Sequence, residues 1–199
     1  MKKANYHHGD LRNSIFKSCH KLLQKKKPQE ISLRTVADMA GVSHTAIYRH
    51  FKDKDELLEV MASYGFDRLA RSQKKAFDQA SNPKKGFVLL GLAYIKFALV
   101  NPNYYRLMFQ TKTVNPSQEL KRSKIRSYSV LLGSCKTYLE SKNKNTNHRE
   151  YAIMAWSLVH GYSNLLIETD FPKSEASSLN KSVLSLAEDI LNQAIDSSP

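Results

Sequence analysis

The sequence predicts an all-α fold in two parts, a small three-helix unit at the N-terminus and a larger helical unit after it. Apolar residues recur at three- and four-residue spacing along the chain, and no run shows the alternation of a half-buried strand. The punctuation falls where helices stop, at Pro28, Gly41, Asn82-Pro83 and Asn101-Pro102. A length of 199 residues is ample for one core and can hold a small domain beside a larger one.

Residues 1–9 carry lysines and histidines and are expected to form a mobile basic arm able to lie along phosphate. A first helix follows over about 10–26, with Leu11, Ile15, Cys19, Leu22 and Leu23 as its buried stripe. Asp10 suits its positive end, Lys25, Lys26 and Lys27 suit the other, and Pro28 ends it.

The stretch 32–51 reads as two short helices joined by a tight turn. Ser32 caps the first, Leu33, Val36, Ala37 and Ala40 give it an apolar face, and Gly41 stops it. Ser43 caps the second, in which Ile47 and Phe51 turn inward with Val42. Thr45 and Arg49 project from the opposite face, flanked by Ala46 and Tyr48. Such a face can enter a major groove, because arginine bonds guanine bidentately and small methyls touch thymine. A helical hairpin with a solvated face has the same spacing.

A fourth helix should run from Asp53, its cap with Glu56, to about residue 80. Residues 83–100 are apolar nearly all round, which predicts burial on several sides. A short aromatic helix spans 103–109, and a loop covers 111–117. Between 118 and 141, Ile125, Tyr128, Leu132, Cys135 and Leu139 follow helical spacing, and the polar run at 142–149 is a loop. Two long terminal helices remain, 151–167 and 176–195, the latter with a stripe of Leu179, Val183, Leu186, Ala187, Ile190, Leu191 and Ala194. Their apolar width suits a two-fold dimer through a four-helix interface, or else the closing of a monomer core.

Charge narrows the partners. Residues 1–54 hold twelve Lys/Arg against four Asp/Glu, leaving +8 of the chain's +13, and the remainder leaves +5. Concentration of the excess beside the hairpin favours a polyanion, most simply nucleic acid, over a small acidic substrate. Cys19 and Cys135 stand alone in helical patterns, with no Cys/His cluster, so a zinc or disulfide scaffold is not expected and reduced cytosolic thiols are. No signal peptide is visible, and the most apolar run, 87–100, is too short to span a bilayer and contains Lys96, so no membrane role is expected.

Ala37, Gly41-Val42, Ile47-Tyr48, Phe51, Lys54 and Leu57-Leu58 together resemble the TetR/AcrR family of transcriptional regulators, whose pattern runs without a gap as GVSHTAIYRHFKDKDELL. The segment AWSLVHGYSNL looks like the C-terminal domain type named for a Trp-His-Gly motif, although three residues separate Trp156 from His160-Gly161.

The resemblance implies an N-terminal three-helix helix-turn-helix DNA-binding domain (1–54), a linking helix (about 55–80) and a larger helical ligand-binding and dimerisation domain (83–199). It implies a homodimeric regulator in the cytoplasm on the nucleoid, most often a repressor, bound to pseudo-palindromic double-stranded DNA and released by a small-molecule effector. Matched residue by residue, Ser43, His44, Thr45, Ala46, Tyr48, Arg49 and His50 fall on the recognition helix, Arg34 on the helix before it, and Lys54 on the phosphate-binding lysine.

By chemistry Thr45 and Arg49 suit base edges, Tyr48, His50 and Lys54 suit the backbone, and His44 suits either; His50 can instead cap or pack locally. Tyr94, Phe97, Tyr104, Met108, Tyr128, Trp156 and His160 can line a pocket for an apolar or aromatic molecule, or be plain core. No catalytic residues, cofactor or metal are expected, since the chain lacks a Gly-rich phosphate loop, H-E-x-x-H and a nucleophile elbow. Two alternatives stand beside this reading: a ligand-free DNA-binding protein that works through a protein partner or by coating DNA, and a helical enzyme whose distant histidines converge.

Overall fold

The computed structural model describes residues 8–109, 115–143 and 146–196. The expectations for residues 1–7, for the first part of the loop at 111–117 and for 144–145 lie outside these. The described chain is helical: α1 (His8–Leu23), a 3-10 turn (Pro28–Glu30), α2 (Leu33–Ala40), α3 (His44–Ile47), α4 (Lys54–Asp78), α5 (Pro83–Val100), α6 (Pro102–Phe109), α7 (Gln118–Ser141), α8 (His148–Glu168), α9 (Phe171–Ser178) and α10 (Val183–Asp196). No single helix among the described residues is long and apolar enough to cross a membrane.

Contacts group the chain into two compact units, Met1–Gly65 with Asn103–Lys121, and Phe66–Pro102 with Arg122–Pro199. In the first, α1 buries Ile15, Cys19 and Leu23, α2 buries Val36 and Ala37, and Ile47, Phe51, Leu57 and Met61 complete the apolar interior. Each of the larger aliphatic and aromatic side chains among them contributes about 1.5–3 kcal/mol on leaving water, before conformational entropy is subtracted.

Most of α6 belongs to this unit. Tyr104 and Tyr105 are 2% and 0% exposed. The Tyr104 hydroxyl lies 2.7 Å from His20 Nδ1, and Asn103 Nδ2 donates to the Leu23 carbonyl at 3.1 Å. Farther along, the Ser117 amide donates to Glu59 Oε2 at 2.9 Å.

In the second unit α5 buries Phe87, Val88, Leu90, Tyr94, Ile95, Phe97 and Ala98, as its nearly uniform apolarity predicts. Phe87 stacks on Tyr138 of α7 with ring centroids 5.3 Å apart, and Tyr151 of α8 lies 5.9 Å from Tyr138. Arg126 grips Asp67 with two bonds of 3.0 Å. Burial pushes the Cys19 and Cys135 thiols up to about 12, because a thiolate loses its hydration there.

Several sequence expectations change. The helix predicted over 176–195 is two helices. Asn180 takes a left-handed φ of 52°, and the amides of Asn180 and Lys181 turn back to the Ser177 and Ala176 carbonyls at 3.0 and 2.8 Å, a Schellman ending for α9. Ser182 then caps α10. Leu179, placed in the apolar stripe, is left 54% exposed.

Ile125 likewise points outward at 65% exposure, since α7 turns Leu120, Ser123, Leu131, Cys135 and Tyr138 inward instead. Finally, the second hairpin helix stops at Ile47 rather than continuing through Phe51. Arg49 and His50 bond the Ala46 and Ile47 carbonyls three residues back, which tightens the backbone out of the α geometry.

Candidate nucleic-acid interface

The hairpin is fixed by its own caps before any tertiary contact. Ser32 Oγ accepts from the Thr35 amide and Thr35 Oγ1 accepts from the Ser32 amide, both at 3.1 Å, a reciprocal box with threonine as third residue. Gly41 closes α2 at φ 69°, a conformation that costs other residues about 1–2 kcal/mol. The Val42 amide meanwhile reaches the Ala37 carbonyl at 3.1 Å. Ser43 Oγ accepts from the Ala46 amide at 3.1 Å and so caps α3.

Burial then sorts the second helix into two faces. Ile47 and Phe51 are each 1% exposed. Thr45, Tyr48 and Arg49 are exposed, as are Ser43 and His44. Ala46 and His50 are half-buried, and Arg34 is exposed on α2. Arg12 of α1 extends over the Phe51 ring with its guanidinium carbon 5.6 Å from the centroid, so one more cation borders this surface.

Besides Ser43 in its cap, His44 and Lys54 already have protein partners. His44 Nε2 lies 2.7 Å from Asp38 Oδ1 across the turn. Lys54 is half-buried and its Nζ donates to the Gln29 carbonyl at 2.9 Å; an ammonium carries three donors, so this bond occupies one of them. At the start of α4 the Glu56 amide bonds Asp53 Oδ1 at 2.9 Å. The Glu56 carboxylate reaches the Lys52 amide at 2.7 Å, one residue before the one the sequence suggests.

Sequence reading missed Arg12 and Asp38. Asp38 had a signal: a short turn between helices sets the last turn of one against the first turn of the next. Arg12 had none, because its place over Phe51 depends on how α1 packs.

The candidate pocket residues divide between the units. Tyr94, Tyr128, Trp156 and His160 come together in the second. The Tyr94 hydroxyl is 2.8 Å from His160 Nδ1 and receives the Trp156 indole N–H at 3.4 Å, while the Tyr128 ring is centred 6.0 Å from that of Trp156. Indole only donates, so the Tyr94 hydroxyl oxygen is the acceptor in that bond. Desolvation holds the His160 pKa below its ordinary value.

Phe97 is buried in the same unit, whereas Tyr104 and Met108 belong to the first. A groove of about 550 Å³ lies elsewhere in the second unit, bordered by Lys75, Leu89, Leu92, Lys96, Ser182 and Leu184 among others and by none of these seven residues.

The family pattern described as "Bacterial regulatory proteins, tetR family" matches residues 15–61, and that described as "Tetracyclin repressor-like, C-terminal domain" matches 87–189. Similar solved structures include a protein of unknown function from Rhodococcus sp. RHA1, with 24% identity, coverage of 96% of this chain and 98% of that one, and a TM-score of 0.77. The TetR family regulator PfmR from Thermus thermophilus has 16% identity, coverage of 90% and 97%, and a TM-score of 0.65. The transcriptional regulator FadR from Bacillus subtilis, in complex with stearoyl-CoA, has 13% identity, coverage of 90% and 95%, and a TM-score of 0.66. At these identities the likeness concerns the fold. With both halves matched in order, the chain belongs to the TetR family of bacterial regulatory proteins: it is a helix-turn-helix, DNA-binding transcriptional regulator and not an enzyme.

Proposed function

We propose that this regulator is a cytoplasmic homodimeric repressor that reads a pseudo-palindromic operator and leaves it when a small apolar or aromatic effector binds. The observation that carries the reading is the sidedness of α3 and its following turn, with Ile47 and Phe51 buried and Thr45, Tyr48 and Arg49 exposed. Thr45 and Arg49 contact base edges. Tyr48, His50 and Lys54 hold the backbone, with Ser43, Ala46 and Arg34 beside them. The functional division is DNA binding over 1–54, a linking helix over 55–80 and regulation with dimerisation over 83–199.

Dimerisation through α8 and α10 is supported by their surfaces. Met154, Leu158, Gly161 and Leu165 form one uncovered or half-covered stripe of α8, and Leu186, Ile190 and Ala194 are half-buried on α10. Two-fold pairing would set the recognition helices on half-sites about 34–36 Å apart or a multiple of that.

We assign the effector site to the second unit, among Tyr94, Phe97, Tyr128, Trp156 and His160, and not to Tyr104 or Met108 of the first; the hydroxyl–imidazole pair of Tyr94 and His160 suits an otherwise apolar guest. Trp156 and His160, which both meet Tyr94, support assigning the C-terminal part to the Trp-His-Gly type. An apolar guest is also in keeping with the stearoyl-CoA bound by FadR from Bacillus subtilis. Release requires only that the effector bind the non-operator arrangement more tightly.

Selection of bound fragments from the source genome gives the operator and tests the reading. Arg49→Ala should then weaken binding by about 1–3 kcal/mol at particular base positions. Lys54→Ala should weaken every sequence alike and flatten the salt dependence. Uniform loss in both variants defeats this division of roles. A steep salt slope without preference among sequences supports the DNA-coating alternative instead.

A further inference from the structure

Asp38 stands out on the interface as an exposed acid one helical turn after Arg34 on α2, on a surface that must approach phosphate. A carboxylate there opposes polyanion binding unless it does something specific. Its Oδ1 lies 2.7 Å from His44 Nε2, and the two side chains are 61% and 46% exposed. An ionised carboxylate only accepts hydrogen bonds, so the proton between them sits on Nε2. With a single ring proton held on Nε2, Nδ1 is an acceptor, and among the described residues His44 makes no other side-chain hydrogen bond. The bond spans the turn from α2 to α3, so it fixes the tautomer and orientation of the first residue of the short recognition helix.

We propose that Asp38 is a specificity-determining residue that acts through His44. The held imidazole presents Nδ1 as a fixed acceptor and selects the exocyclic amino group of adenine or cytosine at one position of each half-site. Those amino groups are the major-groove donors; guanine and thymine offer acceptors there. The inference rests on the reading of α3 as the groove-facing helix.

The test is selection from a randomised duplex library by the full-length protein, Asp38→Ala, Asp38→Asn, His44→Ala and the double Asp38→Ala/His44→Ala, with folding checked by circular dichroism. The wild type should prefer adenine or cytosine at one position that loses its preference in His44→Ala. Asp38→Ala should lose the same preference, by about fivefold for one hydrogen bond, and the double variant should lose no more than either single. Asp38→Asn should retain it, since a carboxamide oxygen also accepts from Nε2–H.

A preference for guanine or thymine there overturns the proposal. So does an Asp38→Ala variant that keeps the wild-type base preference and changes affinity equally on every sequence. A wild type that selects no sequence at all instead defeats the underlying reading of α3, an outcome distinct from a selective wild type whose preference survives Asp38→Ala.

Discussion

His160 sits half-buried on α8 with Nδ1 against the Tyr94 hydroxyl, and burial keeps its imidazole neutral to lower pH than the usual 6.5. The unfolded chain takes up that proton first, so the contribution to stability is full above about pH 6.5 and is lost as the pH falls through the lowered folded value. We expect the melting temperature to drop between pH 7 and 5.5 and His160→Gln to flatten that slope relative to wild type, as measured by calorimetry at constant ionic strength. An unchanged slope in the variant would mean that His160 is not the group responsible. At this scale the sequence was only partly readable. The inward Ile47 and Phe51 followed from four-residue spacing, but the partners of His44 and Lys54 did not, because Asp38 and Gln29 lie on other elements and periodicity carries no information about side-chain reach.

Among the elements, α5 runs from Pro83 to Val100 and α7 from Gln118 to Ser141, as composition indicates, because prolines, caps and polar runs terminate a helix locally. The break between α9 and α10 was invisible for the opposite reason. Leu179 keeps the apolar period going through the very residues where Asn180 adopts φ 52°, and asparagine enters that conformation without announcing it as glycine would. Close approach of α4 and α5 depends on Gly86. A Cβ there would stand 3.0 Å from the Phe77 carbonyl oxygen and 3.1 Å from its ring. Alanine normally gains up to about 1 kcal/mol over glycine in a helix, but a rigid carbonyl does not yield, and overpacking costs about 1–3 kcal/mol. Gly86→Ala should therefore lower stability in urea unfolding; a rise in the midpoint would show that the two helices have room to part.

For the whole molecule, the net charge of +13, with +8 within residues 1–54, was the best guide to the partner, since field strength sums over residues whose exact places need not be known. The assembly is a different matter: apolar width on the terminal helices fits a dimer face or a core equally well until exposure is known. Met154 and Leu165 are 45% and 50% exposed on α8. The double variant Met154→Asp/Leu165→Asp should sediment as a monomer with unchanged helicity and bind operator at least tenfold more weakly, the loss of one tethered half-site. A variant that remains dimeric would move the interface elsewhere.

The backbone passes between the two units three times, at residues 65/66, 102/103 and 121/122. A reader head cut free at the end of α4 leaves behind Tyr104 and Tyr105, two of the largest fully buried side chains. Engineers who wish to graft this specificity onto another sensor must therefore transplant two separate stretches of chain, and any splice made at a single seam exports a head with a hole in it.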